Sequence, residues 1–431
     1  MRLLKVISQY QGLPRPIYFI ALARFLTALG AFVFPFLTLT LTVRLGMSPQ
    51  HVGLVVSLIG ISSMMGTFIG GSLADRYPRG IMILSGQILG GLALCLAGFV
   101  FDSLWILPCL FVCTFSLGLI GPSAMALIAD ICPRERRAEA YALGYMGVNL
   151  GFSVGPLIAG FLFHRYPAWI FWGDGLTTLV SAGCVGVGLR GYLTQSPSAL
   201  IDQGDKRQPL PESEQAVEGS VWSVIRQRPR LIIYTLGSAL LGVCYAQVNF
   251  TTPLALDQLF SKAGADLFGW VMAMNGAGVV LFTPWVTLRS KVTPPFKGLA
   301  HTGSLYTVGF GALFFLPTLS DGATTLSAMS SPVTGVPLSV FSLLIFSTAL
   351  WTWGEVITVT QGSVFLANES PVSHRGRIQG VLPLLLRFTS TSTPLLMGFI
   401  VALSGPAWVW VWVALVGCLS ALIFTVARSR W

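Results

Sequence analysis

Charged side chains are scarce in this sequence. They make up 10% of the 431 residues, whereas a soluble globular chain carries about 25%. Two stretches, 81–101 and 104–129, contain no charged residue at all. Each stretch reaches or exceeds the roughly 20 residues that an α-helix needs to cross a lipid bilayer. The shortage of charge excludes a soluble protein and predicts an all-α integral membrane protein.

Several motifs of enzymes and of cofactor-binding proteins are absent as well. The sequence has no C-x-x-C pair and no G-x-x-x-x-G-K-[ST] loop, and its four His residues are scattered. We therefore expect no metal site, no bound cofactor and no ATPase site. Residues 151–155 match G-x-S-x-G and residues 186–191 match G-x-G-x-x-G. Both lie in apolar spans, without the strand and turn that those motifs require, so we do not expect an enzyme.

Twelve apolar spans alternate with polar loops along the chain. Of the 26 Lys and Arg residues, 21 lie in the even-numbered loops and the two tails, and 3 lie in the opposite loops. Because Lys and Arg concentrate in cytoplasmic loops, we predict a multi-pass cell-membrane protein with both termini in the cytoplasm. The net charge of +10 is spread over these loops, so we expect no nucleic-acid partner.

A polar central segment divides the spans into two groups of six. We predict an N-terminal six-helix half over 1–190, a cytoplasmic linker over 191–230 and a C-terminal six-helix half over 231–431. The two halves echo each other at an offset of 238 residues; the matched pairs include Ala129 with Ala367, Pro133 with Pro371, Arg137 with Arg375, and Pro156 with Pro394. Such duplication predicts two pseudo-symmetric halves in one monomer, with a solute site between them near the membrane midplane.

The loop after span 2 carries the most specific motif. Residues 71–80 read G-S-L-A-D-R-Y-P-R-G, which resembles the signature loop G-x-x-x-D-R-x-G-R-[KR] of the major facilitator superfamily of transporters. The matching residues are Gly71, Asp75, Arg76 and Arg79, whereas Pro78 and Gly80 depart from the pattern. The resemblance implies the twelve-helix fold of that family. It also implies that this loop is a conformational latch, which closes the cytoplasmic face in the outward-facing state.

Span 5 contains a second motif, made of small residues. Its pattern resembles G-x-x-x-G-P-x-x-G-G, which in this family is associated with drug/proton antiporters; the matching residues are Gly151, Gly155, Pro156 and Gly160, and Ala159 replaces one Gly. Because small residues let another helix approach closely, we interpret this as a helix-packing motif. The Arg that the antiporter group usually has in span 4 is missing. Its absence shifts the expected proton pathway to carboxyl groups elsewhere.

Two intramembrane carboxyl groups are the candidates for proton coupling. Glu355 lies in the middle of span 10, and Asp174 lies in the outer part of span 6. Ionisable residues inside a bilayer are costly and are usually functional. The expected charge partners are Arg24 in span 1 and Arg387 in span 11. The open alternatives are a packing residue or a fixed ion pair for Glu355, and a cap or packing residue near the interface for Asp174.

Polar and aromatic residues within the spans predict the lining of a solute cavity. They are Tyr145, Asn149, Tyr245, Asn249, Asn275, Trp351 and Trp353. Aromatic rings with few hydrogen-bonding groups suit an amphipathic solute better than a sugar. The rings of the two Trp residues beside Glu355 are also suited to holding a cation.

These features predict a secondary active transporter that works by alternating access. The leading hypothesis is proton-coupled efflux of drug-like, amphipathic and cationic small molecules, with protons, the solute and the lipid bilayer as the expected partners. An uptake symporter and a lipid or metabolite translocator of the same fold are the alternatives. If Arg24 or Arg387 neutralises Glu355, the cavity suits an anion or a zwitterion instead. A membrane enzyme is disfavoured, because we find no catalytic cluster. A channel is disfavoured too, because channels usually need oligomeric pore rings, whereas two pseudo-equivalent halves build one central path within a monomer.

Overall fold

Twelve membrane-spanning helical segments make up most of the described chain. In a computed structural model, the described residues are 10–74, 76–133, 136–195, 225–290, 292–322, 336–369 and 375–430. Within them, twelve spans are long and apolar enough to cross a membrane. The predicted all-α membrane fold is therefore confirmed.

Contacts between the helices divide the chain into two compact units. Unit 1 contains Met1–Leu45 and Leu58–Gln208, and unit 2 contains Gly46–Ser57 and Pro209–Trp431. Of the predicted linker 191–230, residues 196–224 lie outside the described part of the chain.

The first turns of span 2 differ from the predicted division, because they group with unit 2. The Ser57 hydroxyl accepts a hydrogen bond from the backbone N–H of Leu395 in span 11, at 3.1 Å. The two backbones also approach closely, since a Cβ on Gly53 would lie 3.3 Å from the Cα of Gly398. These contacts with span 11 explain why the segment joins unit 2.

Unit 1 contains span 1, most of span 2, and spans 3 to 6. Span 1 consists of the helices Arg15–Leu29 and Val33–Leu39 and the π-helical turn Thr40–Arg44. Spans 2 to 6 are the helices Pro49–Ala74, Arg79–Ala97, Ile106–Ile131, Arg137–Arg165 and Ala168–Gly188. The interruption of span 1 after Leu29 exposes backbone N–H groups to a side chain of span 6, as described below.

Small residues bring span 5 directly against the first helix of span 1. Gly151 and Gly155 are buried, and a Cβ on them would lie 2.6 Å from the backbone N and 2.7 Å from the backbone O of Leu29. Pro156 and Gly160 of the same motif are buried as well. Any larger side chain at Gly151 or Gly155 would separate the two helices.

Unit 2 contains spans 7 to 12 and the first turns of span 2. Span 7 consists of Pro229–Ala246 and Thr251–Phe260, and span 9 of Pro295–Ala312 and Leu316–Gly322 joined by the 3₁₀ turn Leu313–Phe315. Spans 8, 10, 11 and 12 are Lys262–Ser290, Leu338–Glu369, Arg375–Ser404 and Pro406–Arg430.

The interruption of span 7 has a local cause. Pro253 has no N–H with which to continue the helical ladder to the carbonyl of Asn249. The buried side chain of Gln247 stabilises the turn, because its Oε1 accepts a hydrogen bond from the Thr251 hydroxyl at 2.6 Å.

Aromatic packing holds spans 9, 10 and 12 together in unit 2. The Phe310 ring stacks on Trp351 at 6.0 Å and on Trp410 at 6.2 Å, with interplanar angles of 11° and 2°. All three side chains are buried. This stack fixes the face of span 10 that carries Trp351, and Glu355 follows one helical turn later on that face.

Candidate functional site

Glu355 is part of a hydrogen-bond network inside unit 2. It lies near the middle of the helix Leu338–Glu369 and is partly buried. The amide Nδ2 of Asn275 in span 8 donates to Glu355 Oε2 at 2.7 Å, and the side chain of Tyr245 in span 7 hydrogen-bonds the same carboxyl group. The structure thus brings together three residues that the sequence placed on three different spans.

Both of these hydrogen-bond partners of Glu355 are neutral. The Asn275 amide also donates to the Thr352 hydroxyl at 3.1 Å, which holds the amide in place. A phenol can donate to a carboxylate and can accept from a carboxylic acid. The hydrogen bond between Tyr245 and Glu355 can therefore persist whether Glu355 is charged or protonated. This arrangement is chemically suited to taking up and releasing a proton.

A second group of hydroxyls, from spans 9 and 10, forms its own hydrogen bonds in unit 2. The fully buried Tyr306 of span 9 hydrogen-bonds Thr358, whose hydroxyl also donates to Thr302 at 3.4 Å. Thr302 in turn donates to the carbonyl of Gly354 at 3.2 Å. Sequence reasoning missed Tyr306 and Thr302. The available signal was their spacing of four residues within span 9, which places two polar groups on one helix face.

The two Trp residues predicted to flank Glu355 lie in different surroundings. Trp351 is 2% exposed and packs between Phe310 and Tyr245, at 6.0 Å from each ring. Trp353 packs against Phe282 at 5.2 Å and Trp285 at 4.9 Å. Protein rings thus pack against both Trp side chains, and cation binding at their faces stays a prediction.

Three other predicted lining residues are partly or fully exposed. Tyr145 is exposed on span 5, and Asn149 donates to the Tyr145 carbonyl at 2.9 Å, within its own helix. Asn249 is exposed in the interruption of span 7. The sequence placed Tyr245 and Asn249 on one face of a continuous helix, and the interruption at 247–250 removes that helical relation.

Asp174 caps the second helix of span 1. It is 3% exposed, and its Oδ2 accepts hydrogen bonds from the backbone N–H groups of Phe32 at 3.2 Å and Val33 at 3.1 Å. These donors are available because span 1 is interrupted between Leu29 and Val33. A carboxylate at a helix start compensates unsatisfied N–H groups and the positive end of the helix dipole. The geometry favours a structural cap over a proton carrier.

The two predicted charge partners occupy different units. Arg24 is half-buried in span 1 of unit 1, and Arg387 is exposed on span 11 of unit 2. A Cβ on Gly144 of span 5 would lie 3.2 Å from Arg24 Nη1, so the guanidinium lies on the backbone of that glycine.

The predicted latch loop is described only in part. Asp75 lies outside the described residues, Gly71 is partly buried and Arg76 is exposed. Arg79 is buried, forms an ion pair with Asp130 at the end of span 4 and donates to the Ala126 carbonyl at 2.8 Å. Sequence reasoning missed Asp130 as a partner. The sequence feature that could have indicated Asp130 is its position as a carboxylate at the end of a span that otherwise has no charge.

Comparisons with known proteins agree with the helical architecture. The model of the Major Facilitator Superfamily matches residues 20–336. A Na(+), Li(+), K(+)/H(+) antiporter of Planococcus maritimus is 26% identical over 366 residues, which are 80% of each chain. The multidrug resistance protein MdtH of Yersinia enterocolitica is 26% identical over 314 residues, which are 70% of this chain and 72% of that one.

A solved structure resembles the fold over nearly the whole length. The crystal structure of an auto-inhibited POT family peptide transporter matches with a TM-score of 0.74 and covers 97% of both chains. Its sequence identity of 17% limits this likeness to the fold.

Proposed function

Because this chain belongs to the Major Facilitator Superfamily, a family of small-solute transporters and not of enzymes, we propose that it exports an amphipathic solute in exchange for protons. It is a multi-pass membrane protein, and the described part of the chain contains twelve spans. The proposal adds the direction of transport, the coupling ion and the class of solute.

The observation that carries the proposal is the pairing of Glu355 with Asn275 and Tyr245. An intramembrane carboxyl group with neutral partners has no fixed counter-charge among them, and such a group is functional by default. The phenol can hydrogen-bond either protonation state. The site therefore supports repeated loading and release of a proton during transport.

Exchange at one carboxyl group gives a simple cycle. A proton arriving at Glu355 from one side neutralises the carboxylate and weakens its attraction for a cationic group of the solute, which leaves. On the other side, a new solute binds the carboxylate after the proton has passed to water. Because proton and cation compete for the same group, each promotes release of the other.

Two relatives support exchange and export. The Planococcus relative is an antiporter of alkali cations and protons, and the Yersinia relative is a multidrug resistance protein. A second candidate function is exchange of protons for an alkali cation. It is favoured by the packing of Trp351 and Trp353 against other rings, because a small ion needs oxygen ligands and no aromatic surface.

Location and orientation follow from the distribution of basic residues. Lys and Arg lie mainly in alternate loops and in both tails, which by the positive-inside rule supports cytoplasmic termini. We place the protein in the cell membrane as a monomer, since one chain already supplies two six-helix halves.

Everted membrane vesicles test both candidate functions. A pH gradient, acid inside, is imposed and followed with acridine orange, and tetraphenylphosphonium or a salt of Na⁺, Li⁺ or K⁺ is then added. Dissipation by the lipophilic cation supports drug-type antiport, and dissipation by an alkali salt supports the second candidate. If vesicles with and without the protein respond alike to every addition, proton antiport of lipophilic and alkali cations is rejected.

A further inference from the structure

Arg24 is a second membrane-embedded charge, separate from the network at Glu355. It lies about 14 Å along the helix axis from Arg15, where span 1 begins. Among the described residues, its guanidinium has no hydrogen-bond acceptor and no ion-pair partner. The side chain is half-buried, so part of it stays accessible.

Other arginines of the spans in unit 1 are engaged by the protein. Arg79 pairs with Asp130, Arg44 Nη2 donates to the Phe163 carbonyl at 2.5 Å, and Arg137 Nη2 donates to the Ala129 carbonyl at 2.5 Å. Arg24 lies deeper in its span than these three lie in theirs. Arg24 therefore differs from these three arginines of unit 1, because its guanidinium has no acceptor among the described residues.

Gly144 creates the space in which the guanidinium lies. A Cβ at this position would be 3.2 Å from Arg24 Nη1 and 3.4 Å from Arg24 Cδ. Without a side chain there, the guanidinium lies against span 5 and is not forced to extend toward the helix end. Gly144 thus allows the Arg24 guanidinium to stay within the membrane, with its N–H donors available to a ligand.

An open guanidinium at this depth is costly unless something compensates its charge. Arginine remains protonated in proteins and has five N–H donors. Intramembrane charges pair with one another, face water or mark a solute pathway. The planar fork matches the two oxygens of a carboxylate.

We propose that Arg24 binds an anionic group, first of all a carboxylate, on the transported solute. This deepens the proposed function, because it names a charge that the amphipathic solute carries. A purely cationic solute would leave the guanidinium uncompensated.

A matched set of four ligands tests the charge requirement. Naphthylalanine is a zwitterion, its methyl ester is a cation, its N-acetyl derivative is an anion, and the N-acetyl methyl ester is neutral. Their affinities are measured by thermal-shift titration of the purified full-length protein in detergent. We expect each carboxylate form to bind more tightly than its ester, by about tenfold for a charge-assisted pair.

Substitutions test whether Arg24 causes the preference for a carboxylate over its ester. Arg24→Gln should remove the difference between acid and ester, and Arg24→Lys should retain part of it. Gly144→Ala keeps the charge but places a methyl group against the guanidinium, so it should weaken carboxylate binding selectively. Arg165→Gln removes an exposed arginine of the same unit and should change nothing. The melting temperature without ligand shows whether each variant is folded.

The result that overturns the proposal is a carboxylate preference that is absent, or that stays within twofold of wild type in Arg24→Gln. Binding of none of the carboxylates also overturns it. The titration uses no pH gradient, so its outcome is independent of proton coupling. If naphthylalanine, the zwitterion, binds but does not dissipate the pH gradient in everted vesicles, the proposed function is rejected and the anion site is left standing.

Discussion

At the residue scale, the hydroxyl of Tyr245 is the group that distinguishes a proton-exchange site from a buried carboxyl held by packing alone. Asn275 can only donate through its Nδ2 to Glu355. Tyr245 can switch between donating and accepting. Its ring also packs edge-on against Trp351 at 6.0 Å, so the hydroxyl can be removed while the ring packing stays.

Tyr245→Phe should therefore slow gradient-driven transport more than it slows downhill transport. We expect a loss of about tenfold in the driven rate, the size of one hydrogen bond to a charged group. Uphill and downhill rates are compared in proteoliposomes. Tyr234→Phe is the matched control, because Tyr234 lies in the same span and stacks on Phe365 away from Glu355. An equal loss in both rates would show that the hydroxyl only supports the fold.

At the element scale, the interruption of span 1 depends on one side chain of span 6. Asp174 Oδ2 accepts hydrogen bonds from two backbone N–H groups. As a cap of this helix, Asp174 does not need to gain or lose a proton. Thr177 packs beside the interruption, since a Cβ on Gly30 would lie 3.0 Å from its Cγ2. The two helices are thus locked together at this point.

Replacement of Asp174 separates the cap from a proton carrier. Asp174→Ala should lower the free energy of unfolding by about 2 kcal/mol or more, because two N–H groups lose their acceptor. Asp174→Asn retains an acceptor oxygen and should keep coupled transport within a few-fold of wild type. Melting temperature and driven transport are measured for both variants. If Asp174→Asn abolishes driven transport at an unchanged melting temperature, Asp174 is a proton carrier and not a cap.

At the scale of the whole molecule, composition alone predicted the class of fold. The charge-free runs and the distribution of Lys and Arg fix twelve spans, because a missed span would reverse every later loop. The interruptions at 30–32 and 247–250 could not be predicted, since they depend on partners such as Asp174 that lie far away in the sequence. Tyr306 was missed because its hydrogen-bond partner Thr358 lies in another span, although its spacing of four residues from Thr302 was readable in the sequence.

The residues of the candidate site could be predicted from the sequence, but the contacts between them could not. Glu355 was conspicuous as a carboxyl in an apolar span. Its pairing with Asn275 and Tyr245 required the packing of three spans. Trp351 and Trp353 are separated by one residue in the sequence but face different rings, since residues two apart lie on nearly opposite sides of a helix.

The loop after span 2 is expected to set the balance between the two access states. Arg79 is anchored by Asp130, and Asp75 remains the predicted latch. Asp75→Asn should slow turnover by about tenfold with little change in solute affinity, because it weakens one closed state. Thiol labelling of Tyr145→Cys, in a background without native cysteines, should increase in the variant. Labelling that is equal with and without Asp75→Asn would argue against a latch.

The most direct test of the account is whether Glu355 carries the proton. Purified protein is reconstituted in proteoliposomes that contain a pH-sensitive dye, and proton movement is recorded when the solute that responds in vesicles is added. In wild type, protons should leave the lumen as the solute enters. Glu355→Gln should release no protons while still exchanging solute for solute, and Asp266→Asn in span 8 should behave as wild type. Proton release by Glu355→Gln at the wild-type rate would contradict the account.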